Sequence, residues 1–472
     1  MDARTPLQVG DEVDQFRLKE KLHTGGMATL WGVVELDQAR QEVGPTLIMK
    51  VPRIKGGQDP ATIVGFEVEQ MVMPMLQGPH VPKFIARGDF ITQPYIVMEQ
   101  IPGPSLRPRL DEAPLPFDDV GQIGQKVAFA LHALHKQHVV HLDVKPSNIM
   151  FRPTGEAVLV DFGLSRHDNL PDLLEEEFNL PMGTGPYMSP EQVQFVRNDP
   201  RSDLFALGVM LYHLTTGERP FGQPTTVAGL RKRLYTEPIP PRQIRPDTPP
   251  WLQEVILRCL EVQADRRYQT AAQLASDLQN PEQIQLTARA DKQGTAGRIK
   301  TFRRWFAAMG AEPRSNATAT EQVEHSPIIL AAVDTRGATT ELQKKLLATV
   351  RRILQIEPGA RLACVSVMKT NRVGMDKLTD RHGNSLHVKQ LIDLKHWARP
   401  LEQSLSLDDQ RLTFHVLEAP DPAQAIVDFA NKNQVDHIVM GARGHSAIRR
   451  YLGSVSAQVV AEAECSVTVV RL

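Results

Sequence analysis

Residues 139–163 read VVHLDVKPSNIMFRPTGEAVLVDFG, and two apolar runs in it flank a Pro-Thr-Gly turn. A hairpin folded at Thr154 and Gly155 places Asn148 and Asp161, equidistant from that turn, side by side at its open end. Two oxygen-bearing side chains meeting at one point suit magnesium, which takes few protein ligands and completes its shell with phosphate and water. Asp143, five residues before Asn148, is free to accept the proton of an attacking hydroxyl, and Lys145 can face a transferring phosphate. Such a site works by positioning and charge neutralisation, because phosphoryl transfer asks little covalent chemistry of a protein.

The chain around this stretch is 472 residues long, more than one hydrophobic core usually supports, so two or three compact units are expected. Its apolar fraction of 41% and charged fraction of 23% are those of globular domains. With 54 basic against 55 acidic side chains, no global field draws it onto nucleic acid or an anionic membrane. Cys259, Cys364 and Cys465 are scattered singly, which argues against a disulfide framework or a zinc site and fits a reducing cytoplasm. No stretch reaches the roughly 18 apolar residues of a membrane span, and the N-terminus lacks a signal-peptide pattern, so a soluble cytoplasmic protein is expected.

From Phe16 to about Lys50 short strands alternate with glycine and turn residues. A helix follows, with Asp59 placed to cap it, Pro60 in its first turn and Pro74 to end it. From about Val120 helical periodicity dominates, as in VGQIGQKVAFALHALHKQH and LFALGVMLYHLTTG. A small sheet domain leading into a mostly helical one is the architecture expected over 16–280, after an N-terminal extension of residues 1–15. Residues 281–325 read as a polar linker, interrupted at 298–309 by a basic amphipathic helix whose apolar stripe is expected to dock on a neighbouring domain. From 326 to 472, five apolar runs (PIILAAVD, ARLACVSVM, RLTFHVL, DHIVMGA, SVTVVRL) alternate with helix-like stretches. Strands this continuously apolar are buried on both faces, which predicts a doubly wound five-stranded parallel sheet.

Residues 16–280 resemble a bacterial serine/threonine protein kinase domain, so the fold expected is a bilobal α+β kinase followed by the α/β domain. HLDVKPSN resembles the catalytic loop, implying Asp143 as catalytic base beside Lys145 and Asn148 as a metal ligand; DFG implies Asp161 as the other. LIMK resembles the lysine strand, so Lys50 is implied to hold the α and β phosphates of ATP with Glu69 as its helix partner. IVMEQI resembles the hinge that receives adenine, around Glu99 and Ile101. GTGPYMSPE resembles the segment closing the activation loop, Glu191 is implied to pair with Arg267, and Lys145 with Thr184 point to serine or threonine hydroxyls of protein substrates. Mg²⁺ is the implied metal, with Mn²⁺ as the alternative. His141 supports the loop, since the reaction already has Asp143.

The chain departs from the family pattern at three places. In LHTGGMATLW, His23 and Ala28 stand where the outer glycines of the phosphate-cradling loop are expected, while Gly25 and Gly26 remain. Leu142 replaces the arginine that in the family contacts a phosphate on the activation loop. Between Leu164 and Gly183 the single hydroxyl is Ser165, beside Asp172 and the run Glu175 to Glu177. The usual phosphate acceptor and its receiver are therefore missing together, which predicts an active kinase that is switched without an activation-loop phosphate. The competing reading is a pseudokinase scaffold that binds nucleotide and signals through partners.

Residues 326–472 are similar to the universal stress protein family, whose nucleotide-binding members carry an aspartate after the first strand and a Gly-x2-Gly-x9-Gly-Ser loop. Asp334, Gly441, Gly444, Gly453 and Ser454 match these positions, with eight residues rather than nine between Gly444 and Gly453. The resemblance implies an adenine nucleotide at this loop, the alternative at the shortened spacing being a non-binding regulatory or dimerisation domain, and a homodimer formed through the last strand, with a role in stress signalling.

Overall fold

The computed structural model describes residues 7–36, 47–53, 60–90, 92–177, 181–295, 302–306, 318–319, 327–357, 359–370, 386–405, 411–442 and 454–472. The chain divides into two compact units, one of residues 1–268 with 291–320 and one of residues 269–290 with 321–472. The helix Ala271–Gln279, the last of the kinase-like sequence, thus lies with the C-terminal unit.

The first unit opens with a six-stranded antiparallel sheet: β1 Glu12–Val13, β2 Phe16–Thr24, β3 Ala28–Glu35, β4 Leu47–Pro52, β5 Phe84–Gly88 and β6 Tyr95–Glu99, in the order β1-β2-β3-β4-β6-β5. Residues read as an N-terminal extension therefore contribute an edge strand. Alternation along β2 to β4 turns Phe16, Leu18, Trp31, Val33 and Met49 into one apolar cluster with Tyr95 and Val97. The helix Pro60–Val72 ends in a short 3-10 turn, Met73–Met75, as Pro74 dictates. The helical part is built on Phe117–His135 and Arg201–Thr216; the latter is buried along nearly its whole length and stops at Gly217, whose φ of 78° suits a residue without a Cβ.

Between these helices lie β7 Val139–Val140, β8 Ile149–Phe151, β9 Ala157–Leu159 and β10 Arg166–His167. β8 and β9 pair antiparallel, with Gly155 at φ 102° in the turn, so the hairpin expected from the sequence is present.

In the second unit β11 Ile328–Ala332, β12 Arg361–Lys369, β13 Leu412–Ala419, β14 His437–Gly441 and β15 Ser466–Val470 form a fully parallel sheet in the order β13-β12-β11-β14-β15. Alternate residues face opposite cores. Ile329, Ala331, Leu362, Cys364 and Val439 pack under Thr340–Ile356 and Leu386–Leu405, and Leu330, Ala363, Val365, Ile438 and Met440 under Pro422–Lys432 and Ser454–Glu462. Leu342, Leu346, Val350 and Leu354, four residues apart, make the buried stripe of Thr340–Ile356. Ala272 joins the second of these cores, and buried Arg361 donates to the Gln273 carbonyl at 3.0 Å and to the Asp277 carboxylate, so the Ala271–Gln279 helix is bound to the sheet.

Of the amphipathic stretch 298–309, residues 302–306 are described, and they are helical. The expected docking does not hold for its aromatic stripe: Phe302 and Phe306 are more than 60% exposed, while Arg304 pairs with Glu237.

Candidate active site

The loop between β7 and β8 is held from beneath by Asp203, a fully buried carboxylate that accepts from the backbone N–H groups of His141 (2.9 Å) and Leu142 (2.8 Å) and lies 2.9 Å from His135 Nε2. Leu142 adopts a left-handed backbone, φ 63°, and its side chain is buried with Val140 and Ala319. Its carbonyl accepts from Gln192 Nε2 at 2.8 Å. Apolar packing of the side chain, with Asp203 and Gln192 on the backbone, therefore fixes the position where the arginine is replaced. His141 stacks obliquely on Phe162 and its Nδ1 lies 3.3 Å from the Asp143 N–H, a supporting role as expected.

Asp143 gathers the reacting end of the site. Oδ1 accepts from the Thr184 hydroxyl (2.7 Å) and backbone N–H (3.1 Å), and Oδ2 from Lys145 Nζ (2.6 Å) and Asn148 Nδ2 (3.2 Å). Lys145 also reaches the Thr184 hydroxyl at 3.0 Å. The carbonyl of Asn148 accepts from the Val160 N–H at 3.0 Å, so the hairpin sets Asn148 against the residue preceding Asp161.

Lys50 Nζ donates to Glu69 at 2.5 Å and to Asp161 Oδ1 at 2.8 Å. Burial works to lower the pKa of the Lys50 ammonium, but Asp161 and Glu69 outweigh it and hold it raised. The same ammonium holds the Asp161 carboxyl down at about 2, against the opposing effect of desolvation. Asp161 is therefore ionised, and its side chain is about half-exposed. An ionised carboxylate and an asparagine at the open end of one hairpin are oxygen donors of the kind a hard divalent cation takes. Among the described residues no group of three or more His, Cys, Asp or Glu could hold a metal ion alone, so a cation here would lean on phosphate and water.

The glycine loop is the turn from β2 to β3, closed by a Gly25 N–H bond to the Ala28 carbonyl (2.9 Å) and tied down by Arg53, whose guanidinium donates to the Gly25 carbonyl at 2.8 Å. Gly26 has open space where a Cβ would stand. At the strand linking the two parts, Ile101 is buried, while the Glu99 carboxylate is engaged by Arg152 at 2.5 and 2.9 Å. The hydrogen bond from Arg152 lowers the Glu99 pKa, so its side chain is a structural ion-pair partner. Glu191 pairs with Arg267 as expected, with contacts of 2.5 and 2.8 Å.

In the second unit Asp334 closes a turn through Oδ1, accepting from the N–H groups of Arg336 (3.2 Å) and Gly337 (2.7 Å). Gly441 ends β14 and Ser454 opens the helix Ser454–Glu462; Gly444 and Gly453 lie outside the described residues. Sequence reasoning missed Asp203 and the hydrogen bonds from Thr184 to Asp143, because both depend on segments that approach from about 40 to 60 residues away.

A protein kinase domain model matches residues 36–278, more than half of the chain. The chain belongs to the protein kinase domain family. A universal stress protein family model matches residues 325–471. Among curated relatives of the kinase domain, a probable serine/threonine-protein kinase of Clostridium perfringens is 34% identical over 215 residues, 45% of this chain and 31% of that protein. The serine/threonine-protein kinase PknB of Mycolicibacterium smegmatis is 32% identical over 270 residues, 56% of this chain and 42% of that protein. The chain thus spans less than half the length of these relatives. A solved structure of a variant of the PknI kinase domain of Mycobacterium tuberculosis is 22% identical, covers 59% of this chain and 100% of that one, and has a TM-score of 0.45.

Proposed function

We propose that the chain is a serine/threonine protein kinase that transfers the γ-phosphate of ATP to protein hydroxyls, with a universal-stress-protein-like domain as its regulatory unit. The observation that carries this reading is Asp143, bound at once to Lys145, Asn148 and the Thr184 hydroxyl, while Lys50 joins Glu69 to Asp161. A nucleotide-binding scaffold has no use for a carboxylate so placed. Lys50 holds the α and β phosphates, Asn148 and Asp161 hold the divalent cation, and the backbone at Glu99 and Ile101 receives adenine. Gly25 and Gly26 cover the phosphates. Bound there, Mg²⁺ or Mn²⁺ supplies charge neutralisation of the phosphates. Asp143 orients the substrate hydroxyl and takes its proton as the new oxygen–phosphorus bond forms and the bond to the departing ADP oxygen breaks. Lys145 stabilises the charge on the group in transit.

For the second unit we propose an adenine nucleotide at Asp334, Gly441, Gly444, Gly453 and Ser454, and pairing of two chains along β15, whose second edge has no partner strand among the described residues. A cytoplasmic signalling role is part of the same proposal. No described helix is long and apolar enough to cross a membrane.

The test is transfer of labelled γ-phosphate to the chain itself and to a basic protein with Mg²⁺ or Mn²⁺, beside Asp143→Asn. Removing the carboxylate is expected to lower transfer at least about a hundredfold, the scale of general-base and positioning effects. Equal, negligible transfer by both, with ATP still bound, would replace this reading by the scaffold.

A further inference from the structure

Asp172 lies in the segment after Asp161–Gly163 and is buried, unlike a solvated loop acid. Its Oδ2 accepts from Arg197 Nε at 2.8 Å, with Arg166 Nε 3.7 Å away, and Oδ1 accepts from the Glu175 N–H at 3.3 Å. One carboxylate thus caps the short helix Leu173–Glu177 and gathers two guanidinium groups. Both arginines also grip the segment's backbone: Arg197 donates to the Leu164 carbonyl at 3.0 Å and Arg166 to the Leu170 carbonyl at 3.3 Å. The capped helix, whose Leu174 is fully buried, packs against Pro60–Val72, the helix that carries Glu69. A continuous set of contacts therefore runs from Asp172 through Leu173–Glu177 to the helix that carries Glu69.

The same segment offers no ready place for a regulatory phosphate. Its one hydroxyl, Ser165, is 2% exposed and donates to the His141 carbonyl at 3.2 Å. Thr184, just beyond it, is bound to Asp143.

We propose that Asp172 is a positioning residue whose permanent charge, held by Arg197 and Arg166, latches this segment against the Glu69 helix, so that phosphoryl transfer needs no covalent modification there. The proposal rests on the kinase reading and adds its mode of control.

The experiment uses the full chain produced with a phosphatase and shown by peptide mass to carry no phosphate over residues 164–184. Asp172→Asn keeps the shape and the capping oxygen and removes only the charge. It is expected to lower kcat roughly tenfold while the KM for ATP moves less than about twofold, as when a support of the catalytic pair is loosened. Amide hydrogen exchange over 60–72 and 164–177 should quicken. Asp172→Glu should recover part of the rate, and Arg197→Met should reproduce the loss. Wild-type kcat and exchange in Asp172→Asn would overturn the latch, as would an unphosphorylated wild type that gains activity only when this segment is phosphorylated. If wild type transfers no more phosphate than Asp143→Asn, the kinase reading fails, and exchange over the two segments then decides the latch by itself.

Discussion

His132 is buried in the helix Phe117–His135 with neither ring nitrogen hydrogen-bonded among the described residues, and burial, assisted by the charges of Lys136 and His135, lowers its pKa to about 3. In the second unit burial and Arg361 bring His415 to about 3 as well. An unfolded histidine takes up its proton near pH 6.5, whereas these folded ones refuse it down to about 3. The unfolded state therefore binds more protons through that window, and stability falls as pH drops from about 6.5 toward 3. Asp161, held at about 2, acts in the same direction at lower pH: its contribution is complete above about 4 and is lost as pH falls through 2. His132→Phe should flatten the dependence of unfolding free energy on pH between about 6.5 and 4, measured by urea titration at a series of pH values; an unchanged slope would refute the assignment. The candidate residues Asp143, Lys145, Asn148 and Asp161 were legible at this scale because each is a charged or amide side chain at fixed spacing within one short stretch. Asp172 was not, since an acid in a loop reads as solvated until Arg197 is seen beside it.

Among the elements, the approach of the Glu69 helix to the Asp161–Gly163 turn is set by two glycines. A Cβ on Gly65 would stand 2.9 Å from the Gly163 carbonyl oxygen, and backbone cannot rotate away as a side chain can. Helix propensity alone says that Gly65→Ala gains about 1 kcal/mol. The contact reverses the functional outcome, because the helix must move off the turn and carry Glu69 from Lys50. Gly65→Ala is expected to lower kcat/KM roughly tenfold with little change in melting temperature, and steady-state kinetics at wild-type level would show that the helix has room. Element boundaries were largely legible: Pro74 ends one helix, Gly155 turns the hairpin, and period-two burial marks the strands. The closeness of Gly65 to Gly163 was not, because an isolated glycine in a helix carries no statement of what it faces.

For the molecule as a whole, the notable feature is the position of Ala271–Gln279. The kinase domain model runs to residue 278, yet this helix lies in the unit that contains the parallel sheet. Arg361, at the start of β12, is 5% exposed and binds Asp277, itself 5% exposed, and the Gln273 carbonyl. Removing one partner of such a buried pair leaves the other desolvated and uncompensated. Arg361→Met should therefore destabilise the second unit by about 3–5 kcal/mol, read from denaturant unfolding, whereas a loss below about 1 kcal/mol, the scale of an exposed pair, would refute the clamp.

The sequence by itself determined the two fold types and singled out the candidate residues for phosphoryl transfer, because periodicity, turn chemistry and motif spacing are local and need only a short window of chain. Tertiary structure decided which of 54 basic and 55 acidic side chains meet. Asp172 with Arg197, Asp203 beneath the loop of Asp143, and Arg361 with Asp277 are each pairings across 25 or more residues. Such pairings are chosen by the packing that removes water from both partners, and many other pairs of the same residue types would satisfy the sequence equally well.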